Sequence, residues 1–307
     1  MILWRFVVRR LCWMLLALWV VFTISFALMR SIPGGPFSAE RSVSPEIEEN
    51  LKRRYHLDES LPKQYLRELA NMARFDLGHS YRLTDFSVNE IIAEGFPVSA
   101  SLGILALSFA LSLGITAGIM SAIRRQTMFD FSLMSVATMG IALPDFVVAI
   151  AAILLFVFGW HLFLPAGWGS VSQLVLPALC LGGPYAAYIA RLTRTGMLDV
   201  LSQDYIRTAK AKGLPTWTII LRHALKGAML PVVSFLGPAA AGILTGSLVI
   251  EQVFAVPGLG VHFINAVFAR DYTLAMGLIL LYTALLSSLN LLVDLSYTIL
   301  DPRVKLS

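Results

Sequence analysis

The sequence predicts an all-α integral membrane protein with six transmembrane helices, and three observations carry that reading. Mean hydropathy is +0.74 over the chain. Only 14% of the 307 residues are charged, well below the roughly 25% of an ordinary soluble domain. Apolar runs recur at lengths that cross about 30 Å of hydrocarbon, which takes roughly 20 helical residues. Helices are the economical solution, because backbone groups facing lipid have no water to pair with.

The spans are expected at about 11–29, 98–123, 131–158, 174–190, 229–250 and 274–300. Arg5, Arg9 and Arg10 ahead of the first run resemble the start of a signal peptide. The run is too long for a signal core, however, and SIPGGPF offers no small-x-small cleavage site, so it is read as an uncleaved span. The chain then divides into the first span (1–30), an external segment (31–97), a membrane core (98–300) with a polar internal loop at about 191–228, and a tail (301–307).

The external segment is too long for a simple connection. Ser44, Pro45 and Glu46 make a good helix start, after which Ile47, Leu51 and Tyr55 recur at four-residue spacing. A second helix begins near Ser60 and Pro62, with Tyr65, Leu69 and Met72 on one face and a stop before Gly78. Two readings stand, a helical cap packed on the outer mouth or a spacer. In the return segment 251–273, EQVFAVPGLG carries Pro257, Gly258 and Gly260, which force a turn. It is either a re-entrant turn beside a pathway or a plain external loop.

Orientation follows from Lys and Arg in the short loops. Arg5 to Arg10, Arg124 and Arg125, the run from Arg191 to Lys226, and Arg303 and Lys305 all fall on one side, whereas the short opposite loops hold only Arg270. Both termini are therefore expected in the cytoplasm. The net charge of +5 is thus a topology signal, and no soluble basic face accompanies it to suggest nucleic acid. Cys12 and Cys180 fall inside spans, and the five histidines have no ligand spacing, so no disulfide and no metal site are expected.

One internal stretch is unlike its surroundings: QDYIRTAKAKG, residues 203–213. Leu198, Leu201, Tyr205 and Ala209 share a face at helical spacing with Gly213 continuing the line, while Asp204, Arg207 and Lys210 point elsewhere. Gly213 and Pro215 end the helix. A membrane anchor would want Trp, Phe and Leu along that face. Here it shrinks from Leu to Tyr to Ala to Gly, which favours docking into another protein over an anchor or a solvated connector.

RTAKAKG resembles the Glu-Ala-Ala-x-x-x-Gly loop of ABC importer permeases, with Ala209 and Gly213 matching and Arg207 and Thr208 replacing the Glu and first Ala. RSIPGGPF, YHLDESLPKQYLRELANMARFDLGHS, FPVSASLG, RTAKAKGLP, RHALK, GSLVIEQVFAVPGLG and LDPRVK extend the likeness over essentially the whole chain. They resemble the peptide/nickel branch, above all the first permease subunit of oligopeptide importers. Dipeptide, glutathione, nickel and microcin-type permeases are near relatives.

That resemblance implies a permease of a bacterial inner membrane that forms half of a pathway beside a similar second permease. Its other partners would be two cytoplasmic ATPase subunits, an external solute-binding protein and a peptide substrate. Asp204, Tyr205, Arg207, Thr208, Ala209, Lys210 and Gly213 would form the coupling helix that enters an ATPase cleft. ATP and Mg would be bound by those partners and no cofactor by this chain, which has no G-x-x-x-x-G-K-[ST], H-E-x-x-H or G-x-S-x-G.

Asp145 follows Pro144 in the third expected span, where a charge costs at least roughly 2.5–3.5 kcal/mol. Similar permeases often carry Pro-Ser-Phe at this Pro-Asp-Phe. Asp145 then either faces the pathway and favours cationic or N-terminal ammonium groups, or is neutralised beside a proline kink. Asp294, near the internal end of the last span, is expected to pair with an internal Arg or Lys. Arg191 and Arg194, at the internal end of the fourth span, read as topology anchors first and gate residues second. The rival function is a proton-driven secondary transporter using Asp145 and Asp294, which lacks an inverted repeat or a buried basic partner.

Overall fold

A computed structural model describes residues 2–32, 49–50, 53–164 and 166–300. These residues are helical apart from turns and one isolated bridge, His79 to Ser87. The expected helix start at Ser44 to Glu46, Leu51 and the LDPRVK tail beyond Leu300 lie outside the described residues, as does most of RSIPGGPF.

Helix α1 (Ile2–Ser31) is the first span, and α2 (Leu61–Ala73) belongs to the external segment. Ser60 occupies the N-cap of α2 and a proline its first turn, where a missing N–H leaves nothing unpaired. Tyr65, Leu69 and Met72 pack on Phe22 and Phe26 of α1. The hydroxyls of Thr23 and Tyr65 lie 2.9 Å apart, and Arg30 donates to Glu68 at 2.9 Å. The segment is therefore a packed cap. Burial raises the Glu68 carboxyl above its ordinary value, and the Arg30 guanidinium opposes that rise.

Helix α3 (Val88–Ile123) starts earlier than the expected boundary near residue 98. Ser87 N–H donates to Glu90 at 2.7 Å while Glu90 N–H donates to Ser87 Oγ at 3.2 Å, a reciprocal cap that starts the helix before Pro97. The expected third span is two helices, α4 (Met128–Ala142) and α5 (Asp145–Gly159), bent by 108°. The cause is local: Leu143 is extended, with ψ 133°, as the residue before a proline tends to be, and Pro144 restarts the helix. The segment Ile153–Gly159 of α5 is wound as a π-helix.

Helix α6 (Val171–Leu201) has 31 residues. At 1.5 Å per residue it is about 46 Å long, so it overshoots the hydrocarbon. Beyond it come α7 (Asp204–Ala211) and α8 (residues 216–228), the latter with a π-turn at Ile219–Ala224. Helices α9 (Leu230–Leu244) and α10 (Leu248–Val253) together make one span, and α11 (Leu259–Phe268) turns back toward α12 (Tyr272–Leu300). Among the described residues five helices are thus long and apolar enough to cross a membrane, or six if the bent α4–α5 pair is one span.

The principal helix pair is α3 against α6. A Cβ on Gly182 would stand 2.5 Å from the Ala106 carbonyl, and one on Gly114 2.6 Å from that of Ala186. Small residues bring these backbones together, the usual means of packing helices where lipid removes the hydrophobic drive. The cap contacts the end of α1 and the starts of α3 and α12. The start of α1 and the end of α3 therefore share the opposite end, where α7 also packs. The tertiary structure gathers Arg5 to Arg10, Arg124, Arg125 and the 191–226 run at that one end.

Candidate functional site

Of the face expected from Leu198, Leu201, Tyr205 and Ala209, both leucines and Ala209 meet in one cluster, whereas Tyr205 is exposed. Helix α6 ends at Leu201, and Ser202 and Gln203 reset the register before α7 begins. The inward residues of α7 are Ile206 and Ala209, 0% and 5% exposed, packed with Ile119, Ala122, Met197, Ile219, Ile220 and Ala224. Ala209, expected on a docking face, instead fastens α7 to its own chain. Ile206 is the residue that sequence reasoning passes over, although its spacing of three from Ala209 is the available signal.

The outward face holds Asp204, Tyr205, Arg207, Thr208 and Lys210, all exposed. Asp204 opens the helix and Lys210 closes it, each complementing the helix dipole. Asp204 and Arg207 lie 3.4 Å apart, and Thr208 Oγ1 donates to the Asp204 carbonyl at 3.1 Å. Gly213 follows the helix at φ +74° with open space where a Cβ would stand, so its role is a left-handed stop and not a close approach within this chain.

Behind α7 the long helices are tied by charge. Arg194 of α6 grips Asp130 of α4 with two bonds of 2.8 Å, and Ser121 of α3 and the Gln126 N–H complete the carboxylate's shell. Arg194 is thus a three-helix tie, while Arg191 is exposed. Asp294 pairs with Arg10 of α1 at 2.5 Å, the internal partner expected for it. Asp145 opens α5 at the 108° break and is exposed, with no hydrogen bond or ion pair to any described residue.

At the cap end, the turn residues belong to a lock whose central group the sequence reading misses. Glu251, 0% exposed, accepts from Ser99 Oγ at 2.7 Å and from Gly260 N–H at 2.8 Å, and Ser99 Oγ accepts from Leu259 N–H at 2.8 Å. The carboxylate sits at the N-terminus of α11, where the first N–H groups lack partners within the helix. Gly258 and Gly260 have no space for a Cβ because Glu251 and Ser99 fill it, whereas Pro257 is exposed. Gly246, at φ +95°, makes the turn from α9 into α10 and borders the same carboxylate. The segment is a helical hairpin locked onto α3.

A bundle of spans with a short helix hung from one end and a locked hairpin at the other defines a multi-pass membrane transport subunit. The comparisons agree. Residues 114–306 match the model of the binding-protein-dependent transport system inner membrane component, and the chain belongs to that family. It is 45% identical to the oligopeptide transport system permease protein OppB of Haemophilus influenzae over 98% of this chain and 99% of that one. It is 42% identical to OppB of Escherichia coli K12 and 43% identical to the dipeptide transport system permease protein DppB of Bacillus subtilis. These alignments cover 98% of this chain and 99% and 98% of those. A solved amino acid ABC transporter structure shares the fold at a TM-score of 0.50 and 16% identity, covering 68% of this chain and 93% of that one. The chain is an inner-membrane transport component with no catalytic role of its own.

Proposed function

We propose that this chain is one of two permease subunits of an ATP-driven peptide importer, that its basic end lies in the cytoplasm, and that α7 couples it to an ATPase subunit. The observation that carries the coupling is the division within α7. Ile206 and Ala209 bind the helix to α3, α6 and α8, while Asp204, Tyr205, Arg207, Thr208 and Lys210 are exposed. A helix so held transmits displacement to α6, whose length exceeds the membrane. A second permease, two ATPase subunits that bind ATP and Mg, and an external solute-binding protein complete the machine. The names of the curated relatives support peptides as the substrate class.

In this reading ATP binding closes the ATPase pair, α7 moves with it, and the spans rock to open the pathway outward. Peptide enters from the binding protein, and hydrolysis restores the inward-facing state. Each ligand acts only through its differential affinity for the two states. Against the secondary-transporter reading stands Asp294, which is held by Arg10 near the start of α1 and so is not a free relay group. Purification of the chain from detergent-solubilised membranes tests the proposal. ATPase subunits should accompany it, and a pure permease with ATP-independent uptake would sink it.

A further inference from the structure

Helix α4 has little apolar anchorage in its own chain. Of its 15 residues only Asp130 and Ala137 are buried, while Phe131, Val136 and Met139 are exposed. No α4 side chain joins the apolar clusters that hold the other described helices together. Where α4 runs beside α6 the contact is between small groups, a Cβ on Gly140 standing 3.5 Å from that of Ala187. Such a contact does little to stop one helix sliding past the other.

What fixes α4 is polar. Asp130, 4% exposed, lies in its first turn and receives two bonds of 2.8 Å from Arg194 of α6, and Ser121 of α3 and the Gln126 N–H also donate to it. A bidentate guanidinium–carboxylate pair sets orientation as well as distance, so it opposes rotation and sliding together. The two helices that grip Asp130 also hold α7. Met197 lies one turn beyond Arg194 and Ala122 follows Ser121, and both pack with Ile206 and Ala209. A displacement of α7 therefore reaches α6 and α3 through apolar contact, and reaches α4 through Asp130.

We propose that Asp130 and Arg194 are positioning residues of the transport cycle: their pair makes α4 move as one body with α6 and α7, and so carries the stroke of α7 into the α4–α5 pair. Without it α6 moves and α4 lags. The inference rests on the reading of α7 as the helix that couples this chain to an ATPase subunit.

The test uses the complete importer in proteoliposomes with saturated binding protein, and measures Ala-Ala-Ala uptake and ATP hydrolysis in the same vesicles. Asp130→Asn keeps the shape of the side chain and removes its charge. It should lower the peptide taken up per ATP hydrolysed by about tenfold, while the complex assembles and hydrolysis continues. A covalent bond then replaces the lost tie. With Cys12 and Cys180 changed to alanine, Gly140→Cys and Ala187→Cys place two Cβ atoms 3.5 Å apart, within disulfide reach. Oxidation should restore the ratio in the Asp130→Asn chain, and reduction should remove it again. In the chain that keeps Asp130, the same disulfide should leave uptake unchanged. An unchanged ratio in Asp130→Asn, uptake and hydrolysis falling in proportion, or no rescue on oxidation overturns the tie and leaves the pair a contact of the fold alone. A disulfide that stops uptake with Asp130 in place overturns it too, and that result needs no Asp130 variant to assemble. No ATP-dependent uptake by wild type overturns the importer reading itself, and the tie with it.

Discussion

At one end of the bundle α7 turns Ile206 and Ala209 inward and keeps its charges in solvent. At the other end the α10–α11 hairpin turns a carboxylate inward and leaves Pro257 and Ala255 outside. Both short elements are fastened to the long helices, the first by apolar contact and the second by hydrogen bonds to a buried charge. Apolar contact is tolerant of direction, so α7 can yield a little as a partner pushes it. A buried carboxylate is not tolerant, because each lost bond strands a polar group away from water. The cap-end hairpin is accordingly the more rigid of the two.

Substitutions can break that contrast, beginning with the largest effect. Glu251→Ala should cost about 3 kcal/mol or more by stranding Ser99 and the α11 N–H groups. Glu251→Gln, which keeps the shape and part of the bonding, should cost less. Thermal unfolding in detergent measures both, and an alanine variant as stable as wild type would remove the lock from the account. Ile206→Ala should cost about 2–4 kcal/mol locally and loosen α7 without unfolding the bundle. Faster thiol labelling of an Ala209→Cys probe in that background is the expected signature.

Smaller effects sharpen the division within α7. Gly213→Ala places a Cβ at a left-handed residue with no neighbours, so only backbone strain of about 1–2 kcal/mol is expected, read as a modest fall in melting temperature. Arg207→Ala should leave stability within about 0.5 kcal/mol, since its pair with Asp204 is exposed. ATPase association should nevertheless weaken. If stability and association fall together in that variant, the outward face is structural after all.

The division between sequence and fold follows the range of each signal. The external helix from Leu61 was legible because its cap residues and its Tyr65, Leu69, Met72 face lie within a dozen positions. Asp294 was legible as a paired group because only internal cations are near that end of a span. The register of α7 was not legible, because a two-residue interruption at Ser202 and Gln203 rotates everything after it. The third span read as one helix because hydropathy is blind to direction, and only the extended backbone at Leu143 shows the turn. Glu251 was illegible in its role, since its partner Ser99 is 152 residues away in the chain. Arg194 and Asp130, 64 residues apart, escaped for the same reason.

The sequence by itself determined that the chain is a helical membrane protein, where its spans fall, which end is basic and which family it resembles. Each of these is a sum over many residues or a motif contiguous in the chain, so no contact need be known. The tertiary structure alone decided which face of α7 is free, how the hairpin is locked, and that Asp145 opens α5 at the break with no polar partner among the described residues. Those are questions of which group meets which, and in a bundle of long helices the answer depends on register, where one residue turns a side chain by about 100°.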